Sequence, residues 1–385
     1  MWTPRSDGLA SLSVRSAFDL YLSALDLPRG SEILLSAVTI PDMVRLVREH
    51  GLVPVPVDID EGTLGPTPET AERAYSPRSR VLVVAHLFGG HLDLGPLAAW
   101  ARSRSVRLVE DSAQGFRSPH ERGSALADVT FYSFGSIKTL TALGGGLTRV
   151  TEPALLARMR TLQAAWPLQP TARFARKVAK SAALLVIQEP VPFALTARLC
   201  AARGVDFDRT IIASIRGFPV PPGGSLRPLL QFRPCGALLQ TLRHRLETFD
   251  PTRLARRAAQ GEAVADALRG VVRVLGEAQI ERTHWLFAVQ SEDRDAVVAR
   301  SRARGLDVAA GASNITAVPR PVERPDLPPL VAERFMRQIL FVPVYPEIPR
   351  HRLAAIPELL RPAAVTEQPA GVRWPGARTW PGART

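Results

Sequence analysis

Lysine is scarce in this chain. Of its 49 Lys plus Arg residues, only Lys138, Lys177 and Lys180 are lysines. Arginine serves wherever a plain positive charge suffices. It cannot serve where a neutral amine must act as a nucleophile, because guanidinium stays protonated. Lys138 stands among Ser, Gly and apolar residues with no acidic neighbour in sequence. That context suits an amine of lowered pKa; an ordinary surface lysine is the competing reading. Cysteine is scarcer still: Cys200 and Cys235 stand apart, with no C-x-x-C spacing, so neither a disulfide framework nor a cysteine metal site is expected. No apolar run reaches the ~20 residues of a spanning helix. The first residues hold no apolar h-region, so no secretory signal is expected and a cytoplasmic location is. No G-x-G-x-x-G follows the first strand, which leaves a dinucleotide fold without support. The net charge of +13 comes from arginines interleaved with 36 acids, without a long basic run. A solvated basic surface is expected, and no nucleic-acid partner.

The stretch 109–146 organises what is present. A short apolar strand, VRLVED, ends on Glu110 and Asp111; a second, VTFYSF, ends on Ser133 and Phe134. Lys138 follows in a tight turn, and Gly144, Gly145 and Gly146 come soon after. A carboxylate at the carboxyl end of a buried strand is costly without a partner. The protonated ring nitrogen of pyridoxal phosphate would be such a partner, the alternative being a cap on the next turn. Ligands of open α/β sheets bind beyond these strand ends.

D-S-A-Q, at 111–114, followed by S-F-x-x-x-K-x-L-x-x-x-G-G-G, at 133–146, resembles the fold-type-I aminotransferases of the DegT family. These enzymes mostly aminate keto-sugars carried on nucleotides, or aminocyclitols. The resemblance extends over 13–359. It implies pyridoxal 5'-phosphate as cofactor, held through a Schiff base on the catalytic Lys138, with Asp111 on the ring nitrogen. It places Gln114 near the phenolic oxygen and Ser133 on the phosphate. The family's S-G-T-x-A-L reads S-V-R-S-A-F here, so Ser13, Ser16 and Arg15 become the phosphate candidates at a helix start, itself suited to an anion. Ile40 falls where relatives place an aromatic over the ring, and His86 at a strand end near the site. Gln231-Phe232-Arg233-Pro234 resembles an N-Y-R-M element that reaches a neighbouring subunit's phosphate. A homodimer is implied, with an amino acid donor, glutamate, and a keto-sugar acceptor. Two rivals keep the fold: an elimination or dehydration enzyme using the same cofactor, and a binding or regulatory protein. Relatives that dehydrate typically replace the lysine with His, so Lys138 argues against that route, though not against every elimination.

Alternating strands and helices predict an α/β fold: a large domain at 1–230 with a mostly parallel sheet sandwiched by helices, and a smaller C-terminal α/β domain at 231–365. Residues 1–12 read as a polar arm, and 13–27 as a helix capped by Ser13. The helix 173–187 has a basic side formed by Arg173, Arg176, Lys177 and Lys180 beside an apolar stripe, Phe174, Val178, Ala182 and Leu185. It fits either packing within the protein or, over 173–219, contact with an anionic membrane or lipid-linked substrate. His86 and His91 have no third ligand nearby in sequence, so no metal is expected. The stretch PVYPEIPRHRLAAIPELL, at 343–360, resembles the family's closing helix. The tail 366–385, which repeats WPGART, is expected to be disordered.

Overall fold

The computed structural model describes residues 7–203, 224–311 and 314–361. The predicted tail, the first residues of the expected arm and positions 204–219 of the expected membrane-facing segment lie outside them.

The chain opens with β1 (Gly8–Ser11), α1 (Val14–Leu25), β2 (Glu32–Ser36), β3 (Val38–Thr39), α2 (Pro41–Glu49) and β4 (Val53–Val57). It continues through α3 (Pro68–Ala74), β5 (Ser79–Ala85), β6 (Gly90–His91), α4 (Gly95–Ser103), β7 (Arg107–Ser112), β8 (Val129–Ser133) and β9 (Gly146–Val150). Seven strands form one sheet in the order β1-β9-β8-β7-β5-β2-β4. The pairs from β8 to β4 are parallel, while β9 is antiparallel to both β8 and β1. The interior strands are buried along both faces, which is why they read as continuous apolar runs rather than alternating ones. One face is covered by α1, α2 and α5 (Pro153–Ala164), whose Phe18, Tyr21, Leu46 and Leu155 join Val83, Val109 and Phe131 of the sheet. Phe18 and Tyr21 each meet the Phe131 ring edge-on, centroids 6.2 Å apart. The other face is covered by α3 and α4 through Ala71, Leu97 and Trp100.

Two expectations change here. Residues 8–11 are not a loose arm: β1 pairs with β9, and Leu9 and Leu12 are buried, because an otherwise open sheet edge offers free backbone partners. The expected closing helix is two short ones, Arg350–Ala354 and Ile356–Leu360, since Pro357 cannot donate the hydrogen bond that would continue the first.

Beyond α5 come α6 (Thr171–Ile187) and α7 (Pro190–Ala202). Of the stripe on α6, Phe174 is buried, but Val178 and Leu185 are 41% and 67% exposed, so the helix packs through its first turns and then leaves the body of the protein. No single helix among the described residues is long and apolar enough to cross a membrane.

The C-terminal half adds β10 (Arg273–Val274), β11 (Glu281–Arg282), β12 (Phe287–Gln290), β13 (Thr316–Ala317) and β14 (Ile339–Val342). β10, β12 and β14 form a small antiparallel sheet over its own apolar cluster, with Phe287, Val289, Leu340 and Ile356. The other two strands cross back: β11 pairs with β6, and β13 with β3. These pairings carry C-terminal residues to the carboxyl ends of the large parallel sheet.

Candidate active site

A cavity of about 590 Å³ opens at those carboxyl ends. Its lining includes Lys138, Asp111, Gln114, Ser133, Ser13, Arg15, Ile40 and His86. Strand register explains the convergence. Asp111 lies beside Ala85 between neighbouring strands, and the next residue along β5 is His86. Ser133 closes β8 opposite Gly146 of β9.

Lys138 is held by a loop folded on Phe134. The N–H groups of Ala142 and Gly144 both donate to the Phe134 carbonyl at 3.0 Å, and the Phe134 N–H donates to the Gly145 carbonyl at 3.1 Å. Gly145 takes φ +89° in this turn, a conformation that favours glycine. Distant residues pin the same loop: Trp285 Nε1 donates to the Ile137 carbonyl at 3.0 Å, and Arg257 to Thr139 Oγ1 at 3.2 Å. Lys138 Nζ sits 4.7 Å from the centroid of the Trp285 ring. Enclosure by protein lowers its pKa to about 8; the Asp111 charge opposes that shift and the Arg15 charge adds to it.

Asp111 is buried, and burial pushes its carboxyl pKa up. Oδ1 accepts the Ala113 N–H at 3.0 Å, and Oδ2 has no hydrogen-bond partner among the described residues. Gln114 Oε1 accepts the Phe88 N–H at 2.8 Å, which leaves its amide NH2 as a donor facing the cavity. His86 is fixed from both sides. Its Nδ1 accepts the Leu92 N–H at 3.2 Å, so Nε2 carries the proton toward Glu110 at 2.9 Å. Burial raises the Glu110 pKa, but the bonds from His86, the Ser124 N–H and Thr130 prevail and hold it down at about 2. Glu110 is thus the third group that the sequence did not place near His86 and His91: one ligand atom from each lies within 4.8 Å of the others. His91 is buried rather than a loose turn residue, with its Nε2 donating to the Gly115 carbonyl at 2.8 Å. Hydrogen bonds already use both His86 nitrogens, His91 Nε2 and the Glu110 carboxylate, so the cluster works as a brace behind the cavity.

At the opposite end, Ser13 caps α1, its Oγ accepting the Ser16 N–H at 3.2 Å. The first-turn N–H groups of Val14 and Arg15 have no intrahelical partner and lie at the cavity wall. Gly146 lets β9 pass beneath them: a Cβ there would stand 3.0 Å from the Val14 nitrogen. Arg15 lines the cavity while its Nε pairs with Asp42 of α2 at 2.5 Å.

One expected cofactor residue is placed elsewhere. Ser16 is buried beneath the helix start, 3.1 Å from Ser13 Oγ, and does not line the cavity, because helical geometry turns it toward the core. Gln231, expected at a neighbouring subunit's phosphate, does not line its own chain's cavity, and its Nε2 donates to the buried Asp19 carboxylate at 3.0 Å. Several lining residues went unanticipated. Trp285 and Asn314 arrive from the C-terminal half. Arg173, Phe174 and Lys177 enter from α6, so half of the basic set read as a surface feature faces this cavity.

Residues 6–178 match the model of the DegT/DnrJ/EryC1/StrS aminotransferase family. The matched span contains Asp111, Gln114, Ser133 and Lys138, so the family likeness rests on the part of the chain that builds this cavity. Solved structures agree on the fold. The chain is similar to the aminotransferase TlmJ of Streptoalloteichus hindustanus at 20% identity and TM-score 0.63, covering 92% of this chain and 85% of that one. DesI is similar at 20% identity and TM-score 0.62, with 92% and 79% covered. NtdA of Bacillus subtilis is similar at 18% identity and TM-score 0.61, with 92% and 72% covered. The cofactor of DegT-family aminotransferases is pyridoxal 5'-phosphate, and the residues present fit it. The open Asp111 oxygen suits a protonated pyridine nitrogen, the Gln114 amide a phenolic oxygen, and Ser133 with the start of α1 a phosphate.

The protein should capture pyridoxal 5'-phosphate at moderate pH. Schiff-base formation needs neutral Nζ, and the folded pKa is about 8 instead of 10.5. The capture rate of cofactor-free protein therefore rises toward pH 8 and levels above it. A rate still climbing steeply beyond pH 9 in stopped-flow absorbance would contradict this placement of the lysine.

Proposed function

We propose that this aminotransferase moves the amino group of an amino acid, glutamate by family resemblance, to the carbonyl of a keto-sugar carried on a nucleotide. A homodimer and a role in amino-sugar biosynthesis are part of this reading. The observation that carries it is the joint lining of one cavity by Lys138, an amine of lowered pKa, and Asp111, a buried carboxylate with an open oxygen.

When bound, pyridoxal phosphate supplies an electron sink. Asp111 holds a proton on the ring nitrogen, which keeps that sink effective. Lys138 Nζ removes the proton from the donor's α-carbon and returns one to the carbon that receives nitrogen, acting as base and then acid. The Trp285 face on one side of Nζ limits the directions it can take and keeps water from it. Arg173, over the Phe232 ring at 5.2 Å and facing the cavity, supports a phosphorylated carrier on the acceptor. DesI was solved in the presence of its TDP-sugar product, which supports the same class of acceptor here. NtdA was solved with bound cofactor PMP, the aminated form such a reaction requires.

The test is a half-reaction. With glutamate, the visible band of the cofactor-loaded protein should fall, and about one equivalent of 2-oxoglutarate should appear per subunit, whereas a non-donor amino acid leaves the band in place. A band indifferent to glutamate overturns the choice of donor, and consumption of acceptor without nitrogen transfer returns the elimination reading.

A further inference from the structure

Lys177 is a cation without a counter-ion. It lines the cavity from α6, and no carboxylate pairs with it among the described residues. Partial desolvation, and then the positive charges of Arg15, Arg173 and Lys180, lower its pKa, while the side chain keeps contact with solvent. Cations gathered at one wall repel one another unless an anion comes between them.

Position says which anion. Lys177 Nζ stands 3.9 Å from the point a Cβ on Gly144 would occupy. The next residues are Gly145, whose N–H donates to the Leu12 carbonyl at 2.9 Å, and Gly146, packed under the Val14 nitrogen. Lys177 therefore reaches the end of the cavity where α1 starts and where Ser133 sits opposite Gly146.

Gln231, expected to reach a neighbouring subunit's phosphate, has one N–H bonded within its own chain. Gln231 Nε2 donates to Asp19 Oδ2 at 3.0 Å, while Arg227 Nε and His50 Nε2 each lie 2.8 Å from Oδ1. Asp19 is fully buried, so turning Gln231 away would leave a buried carboxylate oxygen short of its donor.

We propose that Lys177, carried by α6 of the same chain, is the counter-charge of the cofactor's phosphate. This rests on the cofactor reading above. It gives Lys177, on the exposed part of α6 just past the buried Phe174, a task in binding, and it separates Lys177 from Arg173, which stands over Phe232.

The experiment compares pyridoxal 5'-phosphate with pyridoxal, which lacks the phosphate. Each is titrated into full-length wild type, Lys177→Gln and Lys177→Arg, following the visible band of lysine-bound cofactor. Removing one charge-assisted hydrogen bond should weaken phosphate-cofactor binding by roughly ten- to hundredfold in Lys177→Gln, leave pyridoxal binding unchanged, and be largely restored in Lys177→Arg. Inorganic phosphate should compete in wild type and lose potency in Lys177→Gln. Equal affinity of wild type and Lys177→Gln for the phosphate form overturns the proposal, as does an equal loss for both ligands, which marks a structural role. A higher KM for the sugar acceptor with unchanged cofactor affinity overturns it in favour of the substrate's phosphate. A Gln231→Ala variant that loses phosphate discrimination as strongly restores the cross-subunit arrangement. If wild type forms no band with either ligand, the cofactor reading itself fails.

Discussion

Lys138→Ala abolishes the visible absorbance of lysine-bound cofactor and lowers turnover by at least about 10²–10⁴-fold, the contribution of positioned proton transfer alone. The reasons lie in the position of Nζ. It is enclosed beside Asp111 and against Trp285, and burial lowers its pKa to about 8. Lys177 does not substitute for it, because its Nζ serves the Gly144 end of the cavity. Lys138→Arg should be just as inactive, since guanidinium keeps its charge. Neither change should unfold the protein. Nζ packs on the Trp285 ring face, and removing an enclosed amine also removes its desolvation cost, which offsets the missing packing. A thermal melt alongside the spectrum and the rate separates these effects; an alanine variant with wild-type turnover overturns the assignment of Lys138.

Asp111→Asn keeps the side-chain shape and the bond from the Ala113 N–H but removes the charge. Losing one member of a buried ion pair costs about 3–5 kcal/mol; felt in the transition state, that loss lowers turnover by roughly 10²–10⁴-fold. Cofactor capture on Lys138 should persist. Stability should move the other way. Burial raises this carboxyl's pKa in the folded protein, so its ionised form costs stability above that pKa and the cost vanishes below it. At neutral pH the cofactor-free Asn variant should therefore melt at or above the wild type, with the difference shrinking as acid protonates Asp111. Differential scanning calorimetry across pH, with steady-state rates of the loaded protein, checks both signs. A variant with unchanged rate and lower melting temperature would make Asp111 a structural cap.

Local signals explain what the sequence made readable. Asp111, Ser133 and Lys138 close strands or tight turns within one short stretch, and parallel strands must deliver their ends to one side of the sheet. Ser13 is readable as a cap for the same reason: its partner, the Ser16 N–H, is three residues away. Residues whose position depends on distant pairing are not readable. Trp285 reaches Lys138 through the β11–β6 crossing, which no periodicity in HWLFAVQ encodes. The bond from Gln231 to the buried Asp19 joins residues 212 positions apart, and no local pattern encodes it. Ser16 fails by helix phase. The basic residues of α6 read as one face, although Arg173 and Lys177 line the cavity beside Phe174. The scarcity of lysine that singles out Lys138 applies equally to Lys177.

The measurement closest to the central claim is chemical. The protein is loaded with pyridoxal 5'-phosphate, reduced with borohydride and digested, and the modified peptide is identified by mass spectrometry. With three lysines in the chain, the result is unambiguous. The account predicts the pyridoxyl group on Lys138, at about one per subunit, and none after prior treatment with glutamate. Label on Lys177 or Lys180 at that stoichiometry, or no label at all, would contradict it.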